Sequence, residues 1–210
     1  MLVAEKFWDG VAAKYAKSPI KDQAGYQFTL DRTRSYLKES DTVLEIGAGT
    51  GGTALLLADA VSEIIASDIS NAMLDVGRDN AKAQGVSNVR FMQSDAAQLP
   101  DGPYDVILAH NILHLIKDLP QVLEAVHEQL RPGGLFISKT FCKPKRGLQL
   151  EYRMIRLVLP LMQRLGKAPF VALRSVEILE EMIWAAGFEP VETANYPETS
   201  GNRYIVARKR

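Results

Sequence analysis

Between Thr42 and Gly52 the chain reads TVLEIGAGTGG, and this stretch limits the fold more than any other. A short apolar run breaks into a turn carrying Gly47, Gly49, Gly51 and Gly52, and the turn opens onto the helical pattern TALLLADA. Strand, glycine turn and helix in that order make one step of an α/β sheet. Further strand-like runs follow at EIIASD (63–68), VRFMQ (89–93), YDVILAH (104–110) and GLFISKT (134–140). They are short and rich in Val, Ile and Leu, as buried parallel strands tend to be. Their alternation with helical segments predicts a mostly parallel sheet covered on both faces.

The intervening helices have readable ends. Ser70 suits the N-cap of NAMLDVGRDNAKAQ, and Gly85 its stop. In DLPQVLEAVHEQLRPGG, Asp118 and Pro120 mark the start, and Val122, Leu123, Val126 and Leu130 form the inward stripe. Gly133 is the expected end. Ser175 opens VEILEEMIWAAG, whose expected inner face holds Ile178, Leu179, Met182, Ile183 and Ala186. Two last strands, FEPVETAN (188–195) and RYIVARK (203–209), stand too close for a crossover, so the sheet should end with an antiparallel strand. Residues 1–40 read as two helices, with Phe7, Val11 and Tyr15 on one stripe and Tyr26, Leu30, Thr33 and Leu37 on another. Residues 148–166 read as a helical insertion.

Bulk composition narrows the function. A length of 210 residues suits one domain able to bury a full core. The formal net charge is zero, so no global basic field draws the chain to nucleic acid. Cys142 is the only cysteine, which excludes an internal disulfide and a cysteine-built zinc site. The start, MLVAEKFWDG, has Glu5 and Lys6 where a signal peptide needs an apolar core, and no apolar run approaches the roughly 20 residues that span a bilayer. A cytoplasmic protein is the expectation.

The glycines of the turn fit two templates. Gly47, Gly49 and Gly52 match the G-x-G-x-x-G of dinucleotide binding, while Glu45, Gly47 and Gly49, with Gly51 following at the same spacing, match the E-x-G-x-G of S-adenosylmethionine (SAM) sites. Asp68, at the end of the second strand, can accept both hydroxyls of a ribose in either cofactor; helix N-terminal charge compensation ahead of Ser70 is its plain alternative. Glu45 favours a ligand carrying an ammonium group over one carrying pyrophosphate. Asp95, in SDAAQLP, is a second acidic marker after the third strand, suited to an adenine amino group. With the terminal hairpin, these features resemble the class I SAM-dependent methyltransferases.

That resemblance covers nearly the whole chain through VLEIGAGTGG, ASDIS, QSDAAQLP, YDVILAHNILHLI and LRPGGLFI. The opening FWDGVAAKYAKSP is also similar, more loosely, to the group containing the ubiquinone/menaquinone C-methyltransferases. It implies an α/β, Rossmann-like seven-stranded sheet of order 3-2-1-4-5-7-6 with strand 7 antiparallel and helices on both faces. Residues 1–210 would form a single methyltransferase domain: a helical cap (1–40), a core (41–147 and 170–210) and a helical lid (148–169). Carried over by the same resemblance, Gly47, Ala48, Gly49 and Gly51 line the methionine part of SAM and Glu45 helps hold its amino group. Asp68 binds the ribose, Ile69 and Met73 flank the adenine, and Asp95 with the Ala96 backbone meets its edge. The His110 backbone closes the site, and Thr50 adds a hydroxyl that a plain helix cap would equally supply.

His110 ends the fourth strand, where open α/β sheets place ligands, and with an ordinary pKa near 6.5 it is the candidate general base; packing of the strand end is the competing reading. His114 stands at helical i, i+4 spacing from it without a third ligand, so no metal is expected. His127, between Glu124 and Glu128, reads as a surface residue. Asn111 is followed by Ile112, Leu113 and His114, not by the Pro-Pro-aromatic run of many base-methylating enzymes, which argues against nucleic acid. The expected acceptor is a small apolar or amphipathic molecule. Trp8, Ala12 and Tyr15 are placed over the cleft, with Tyr15 available to orient a ligand. The seam of Leu150, Met154, Leu157, Val158 and Leu161 serves as pocket lid first, with a homodimer contact or a peripheral membrane contact through 148–166 as the other uses. An NAD-dependent oxidoreductase and a non-catalytic SAM-binding module are the competing functions.

Overall fold

A computed structural model describes residues 2–143, 159, 162–164, 167–196 and 201–210. The strands are β1 (Thr42–Ile46), β2 (Glu63–Asp68), β3 (Val89–Gln93), β4 (Tyr104–His110), β5 (Leu130–Phe141), β6 (Phe188–Asn195) and β7 (Asn202–Lys209). The helices are α1 (Leu2–Ala16), α2 (Gln23–Arg34), α3 (Gly52–Leu57), α4 (Asn71–Gln84), α5 (Leu119–Gln129) and α6 (Val176–Ala185). Most of the 148–166 seam lies outside the described residues.

The seven strands form one sheet of order β3-β2-β1-β4-β5-β7-β6. The first five pair in parallel, and β7 runs antiparallel to both β5 and β6. The short link before β7 forces this reversal. One face packs Leu44, Ile107, Phe136 and Ile205 against Val122 and Leu123 of α5 and Leu179 and Ile183 of α6. The other packs Val43, Ile64, Leu108 and Tyr204 against Leu30 of α2 and Ala54 and Leu55 of α3. The order of connection reverses between β1 and β4, which opens a crevice beyond their carboxyl ends.

Helix ends follow the sequence where a cap decides them. Ser70 Oγ accepts from Met73 N at α4, Asp118 Oδ1 from Gln121 N at α5, and Ser175 Oγ from Ile178 N at α6. Gly85 stops α4 in the left-handed region. Two expectations are corrected. Helix α5 ends at Gln129, not Gly133, because Arg131 precedes Pro132 and a residue in that position is pushed out of the α region. Leu130 is therefore already extended and pairs with Tyr104, and Gly133, at φ +77°, turns the chain so that pairing resumes at Leu135. Ile178 is exposed on α6, where Leu179 and Ile183 supply the buried contact.

The Phe91 ring of β3 is wedged between two glycines. A Cβ on Gly51 would meet it at 2.6 Å and one on Gly77, inside α4, at 2.4 Å. Helix propensity alone makes Gly77→Ala stabilising by about 1 kcal/mol. Overpacking against a ring that cannot retreat from Gly51 costs about 1–3 kcal/mol, so Gly77→Ala should lower stability. In a Phe91→Leu background the same change should become neutral or stabilising; denaturant unfolding of the four proteins checks the reversal.

Candidate active site

A cavity of about 810 Å³ fills the crevice beyond β1, β2 and β4. Its size suits one or two small ligands, since such sites typically measure about 300–1,000 Å³. Its floor is the glycine turn. Gly47 and Gly49 both have positive φ, at +68° and +56°. A Cβ on Gly47 would lie 2.7 Å from the Ile112 side chain, so the turn fits only without one. Ala48 N donates to Ser67 O at 2.9 Å and Gly49 N to Asp68 Oδ2 at 2.8 Å, which ties the turn to the end of β2.

Asp68 holds two segments at once, because its Oδ1 accepts from Ser70 N at 2.9 Å. Burial raises its pKa, opposed by the backbone N–H groups of Ser70, Gly49 and Ile69. A carboxylate offers about four acceptor positions, so acceptor capacity remains for a ligand hydroxyl beside the bonds from Gly49 N and Ser70 N. The two readings of Asp68 are thus compatible: it serves the start of α4 and still faces the cleft.

Glu45 is buried at the end of β1, and its Oε2 has no hydrogen-bond partner. Burial is the largest cause raising its pKa to about 8, with Asp68 adding repulsion. An orphaned buried carboxyl is costly, and a ligand cation would relieve it. Among the described residues, the carboxyl groups of Glu45, Asp68, Asp95 and Asp118 line the cleft, against one cation, Lys117. That balance opposes a pyrophosphate and suits a ligand with a sulfonium and an ammonium group, so these residues fit SAM.

Ala48, Thr50, Ile69, Met73, Asp95 and Ala96 also line the cleft. Asp95 Oδ1 accepts from Ala97 N at 3.0 Å, which orients the carboxylate. Thr50 is not the cap of α3; Gly51 occupies that position without a side-chain bond. Gly51 itself is buried against Phe91 and does not line the cleft, so its positive φ of +72° serves the turn's shape.

His110 projects from β4 towards α2, where its Nε2 lies 3.5 Å from Thr33 Oγ1. Thr33 Oγ1 lies 3.3 Å from Tyr204 OH. Burial, then the neighbouring Lys139, lowers the His110 pKa to about 4. Lys139 Nζ is occupied by the Gly25 carbonyl at 2.9 Å. His110 is therefore neutral at pH 7 and a weaker proton acceptor than its ordinary pKa suggests. Tyr15 borders the cleft half-exposed, with its ring edge-on to Trp8 at 6.4 Å. Burial, followed by Asp68 and Glu45, raises its pKa and keeps the phenol protonated.

His114 does not line the cleft; its Nδ1 is buried without a partner, and no metal-binding cluster occurs among the described residues. His127 is half-buried rather than exposed, edge-on to Phe188 at 5.2 Å. The sequence reading missed the cleft's other half. Ile20, Ile112, Leu115, Ile116, Val122 and Phe170 form an apolar wall, with Tyr26 near the glycine turn. Arg174 sets part of that wall by donating to the carbonyls of Leu113 and Ile116 at 3.0 and 2.9 Å. Asn111 at φ +59° starts the loop, and neither feature has a motif that announces it.

Comparison with known proteins agrees with this geometry. Residues 37–179 match a family model described as a methyltransferase domain. The ubiquinone/menaquinone biosynthesis C-methyltransferase of Idiomarina loihiensis is 34% identical over 156 residues, covering 68% of this chain and 60% of the relative. Its namesake from Azotobacter vinelandii is 35% identical over 157 residues, covering 70% and 61%. The chain thus spans less than two thirds of the length of these curated relatives. The crystal structure of magnesium protoporphyrin IX methyltransferase from Synechocystis PCC 6803 with bound SAH has the same fold. Its TM-score is 0.76 at 17% identity, over 100% of this chain and 99% of that one.

Glu45 makes the site pH-sensitive in a defined direction. Its folded pKa lies above the ordinary 4.5, so stability present below that value is lost as pH rises through about 8. Glu45→Gln should therefore melt higher than the parent at pH 8 without ligand. An ammonium-bearing ligand favours the ionised form, so SAM affinity should rise between pH 6 and 7.5 with release of a proton. Calorimetry in buffers of different ionisation enthalpy reads that proton, and Glu45→Gln should abolish it.

Proposed function

The chain belongs to the class I SAM-dependent methyltransferases, and we propose that it moves a methyl group from SAM to a small apolar or amphipathic acceptor. The observation that carries this reading is the two-part cleft. An acidic, glycine-floored half adjoins an apolar half walled by Ile112, Leu115, Ile116 and Phe170. The names of the curated relatives make quinol-type rings the first acceptors to test. SAM supplies the methyl group and loses the positive charge of its sulfonium.

On this reading the chain's own residues chiefly bind, align and exclude water. Alignment of two bound reactants can supply about 7–11 kcal/mol of barrier reduction. Asp68 fixes the sugar, Glu45 the amino group, and the Gly47–Gly49 backbone approaches the methionine portion. Ile69 and Met73 flank the adenine, and Asp95 with the Ala96 backbone meets its edge. His110, neutral and held towards Thr33, orients the reacting end rather than serving as a strong base. Tyr15, protonated at the cleft border, donates to whichever ligand group reaches it. With labelled SAM and a panel of hydroquinones, phenols and thiols, the protein should label one acceptor class. Leu115→Trp, which fills the apolar half, should reduce labelling at least tenfold while leaving SAM affinity within about twofold. Loss of both together would contradict the division of the cleft.

The rim supports a further part of this reading, that the acceptor is delivered from an anionic bilayer. Ile20 and Phe170 line the cleft and are exposed, 46% and 43%; the exposed Lys17 and Lys21 flank Ile20 in the chain, and Lys117 is an exposed member of the lining. Apolar side chains bordered by lysines suit a membrane interface. The protein should float with vesicles containing anionic lipid and not with purely zwitterionic ones. Ile20→Ser with Lys17→Glu should abolish flotation; equal flotation with both vesicle types, or with neither, would count against delivery from the bilayer.

A further inference from the structure

Helix α1 lines the cleft through Ala4 and Trp8, and its far end adds Tyr15. Among its described side chains Ala12 is the one buried hydrophobic, Phe7, Trp8 and Val11 are half-buried, Val3 is 78% exposed, and none belongs to the packed core on either face of the sheet. The helix can therefore leave without opening the sheet's core, so polar ties weigh heavily in its position. The main tie is Asp9. Its Oδ1 accepts from Ser70 Oγ at 2.6 Å and from Ala72 N at 3.2 Å. A second, exposed tie joins Gln93 Nε2 to Glu5 Oε1 at 3.0 Å.

Ser70 is fully committed by this arrangement. Its hydroxyl proton goes to Asp9, its oxygen accepts from Met73 N, and its backbone N–H goes to Asp68 Oδ1. Asp68 Oδ2 in turn accepts from Gly49 N. One continuous chain of hydrogen bonds thus runs from α1 through the start of α4 to the glycine turn. Nothing in the α1 sequence marks Asp9 for this, because the partner is set by how α1 lies along α4.

We infer that Asp9 is a positioning residue: it latches α1 over the cofactor half of the cleft and, through Ser70, steadies the Asp68 carboxylate. The latch rests on the proposed site but can be read without any ligand. Two negative groups, Asp9 and Asp68, share the N-terminal end of α4, whose partial positive charge favours both. Release of Asp9 would leave Ser70 free to rotate, loosen α1 and shorten the stay of a bound cofactor.

The chain has two tryptophans, so in a Trp184→Phe background Trp8 alone reports whether α1 is docked. In that background Asp9→Ala should shift Trp8 emission to the red and raise acrylamide quenching without ligand. It should speed SAM dissociation, measured by stopped flow, about tenfold, as expected for loss of a charge-assisted hydrogen bond. Asp9→Asn, which keeps an acceptor oxygen, should restore most of both signals. Adding Ser70→Ala to Asp9→Ala should move Trp8 emission and the dissociation rate little further, because the two act as one unit in the latch, although loss of the Met73 cap lowers the melting temperature on its own account. A purely structural cap would lower the melting temperature and move neither Trp8 nor the dissociation rate; that result, or additive effects of Asp9→Ala and Ser70→Ala on those two signals, would overturn the latch. A Trp184→Phe parent that binds no SAM would sink the proposed function alone, while the emission comparison still decides the latch.

Discussion

The carboxylate of Asp68 is the interaction on which the rest of the site depends. One oxygen holds the glycine turn through Gly49 N and the other holds the start of α4 through Ser70 N. Two loops leaving adjacent parallel strands are thereby fixed relative to each other. Both backbone bonds favour the ionised form, which counters the burial that would otherwise neutralise it. The group is thus held in place and facing the cleft before a ligand arrives.

Around this anchor the cleft carries an unbalanced charge. Glu45 is buried with an unpartnered oxygen, and Asp95 and Asp118 add carboxyl groups, while Lys117 is the one cation among the described residues of the lining. The deficit is a selection rule: anionic phosphates are repelled, and a compact cationic ligand completes the site. The apolar half has the opposite character and is assembled from four separated parts of the chain. They are the link after α1, Val122 of α5, the loop after β4 and the segment around Phe170. Arg174 joins the last two by donating to carbonyls of the loop.

Local signals were legible wherever a short-range cause decides the structure. The strand runs lie where their Val, Ile and Leu content placed them, and the caps Ser70, Asp118 and Ser175 bond to backbone N–H groups three residues on. The change from α5 to β5 falls before the expected Gly133, because the residue ahead of Pro132 is pushed out of the α region. Burial could not be read in the same way. His110 looked like an ordinary histidine near pKa 6.5, yet Thr33 and Lys139, both distant in sequence, give it a dry and positive surrounding. Gly51 looked like a ligand contact and instead makes room for Phe91.

By itself the sequence determined the order of strands and helices, the glycine turn and the three acidic markers Glu45, Asp68 and Asp95, all features caused by neighbours within a few residues. It also determined the terminal reversal of the sheet, because a link that short permits no crossover. Only the tertiary structure decided which groups meet: Asp9 with Ser70, Ile112 with Gly47, Arg174 with the loop after β4. Those meetings set burial, and burial sets charge. The physical reason is that periodicity and capping are local, whereas desolvation and side-chain contact depend on segments brought together from across the chain.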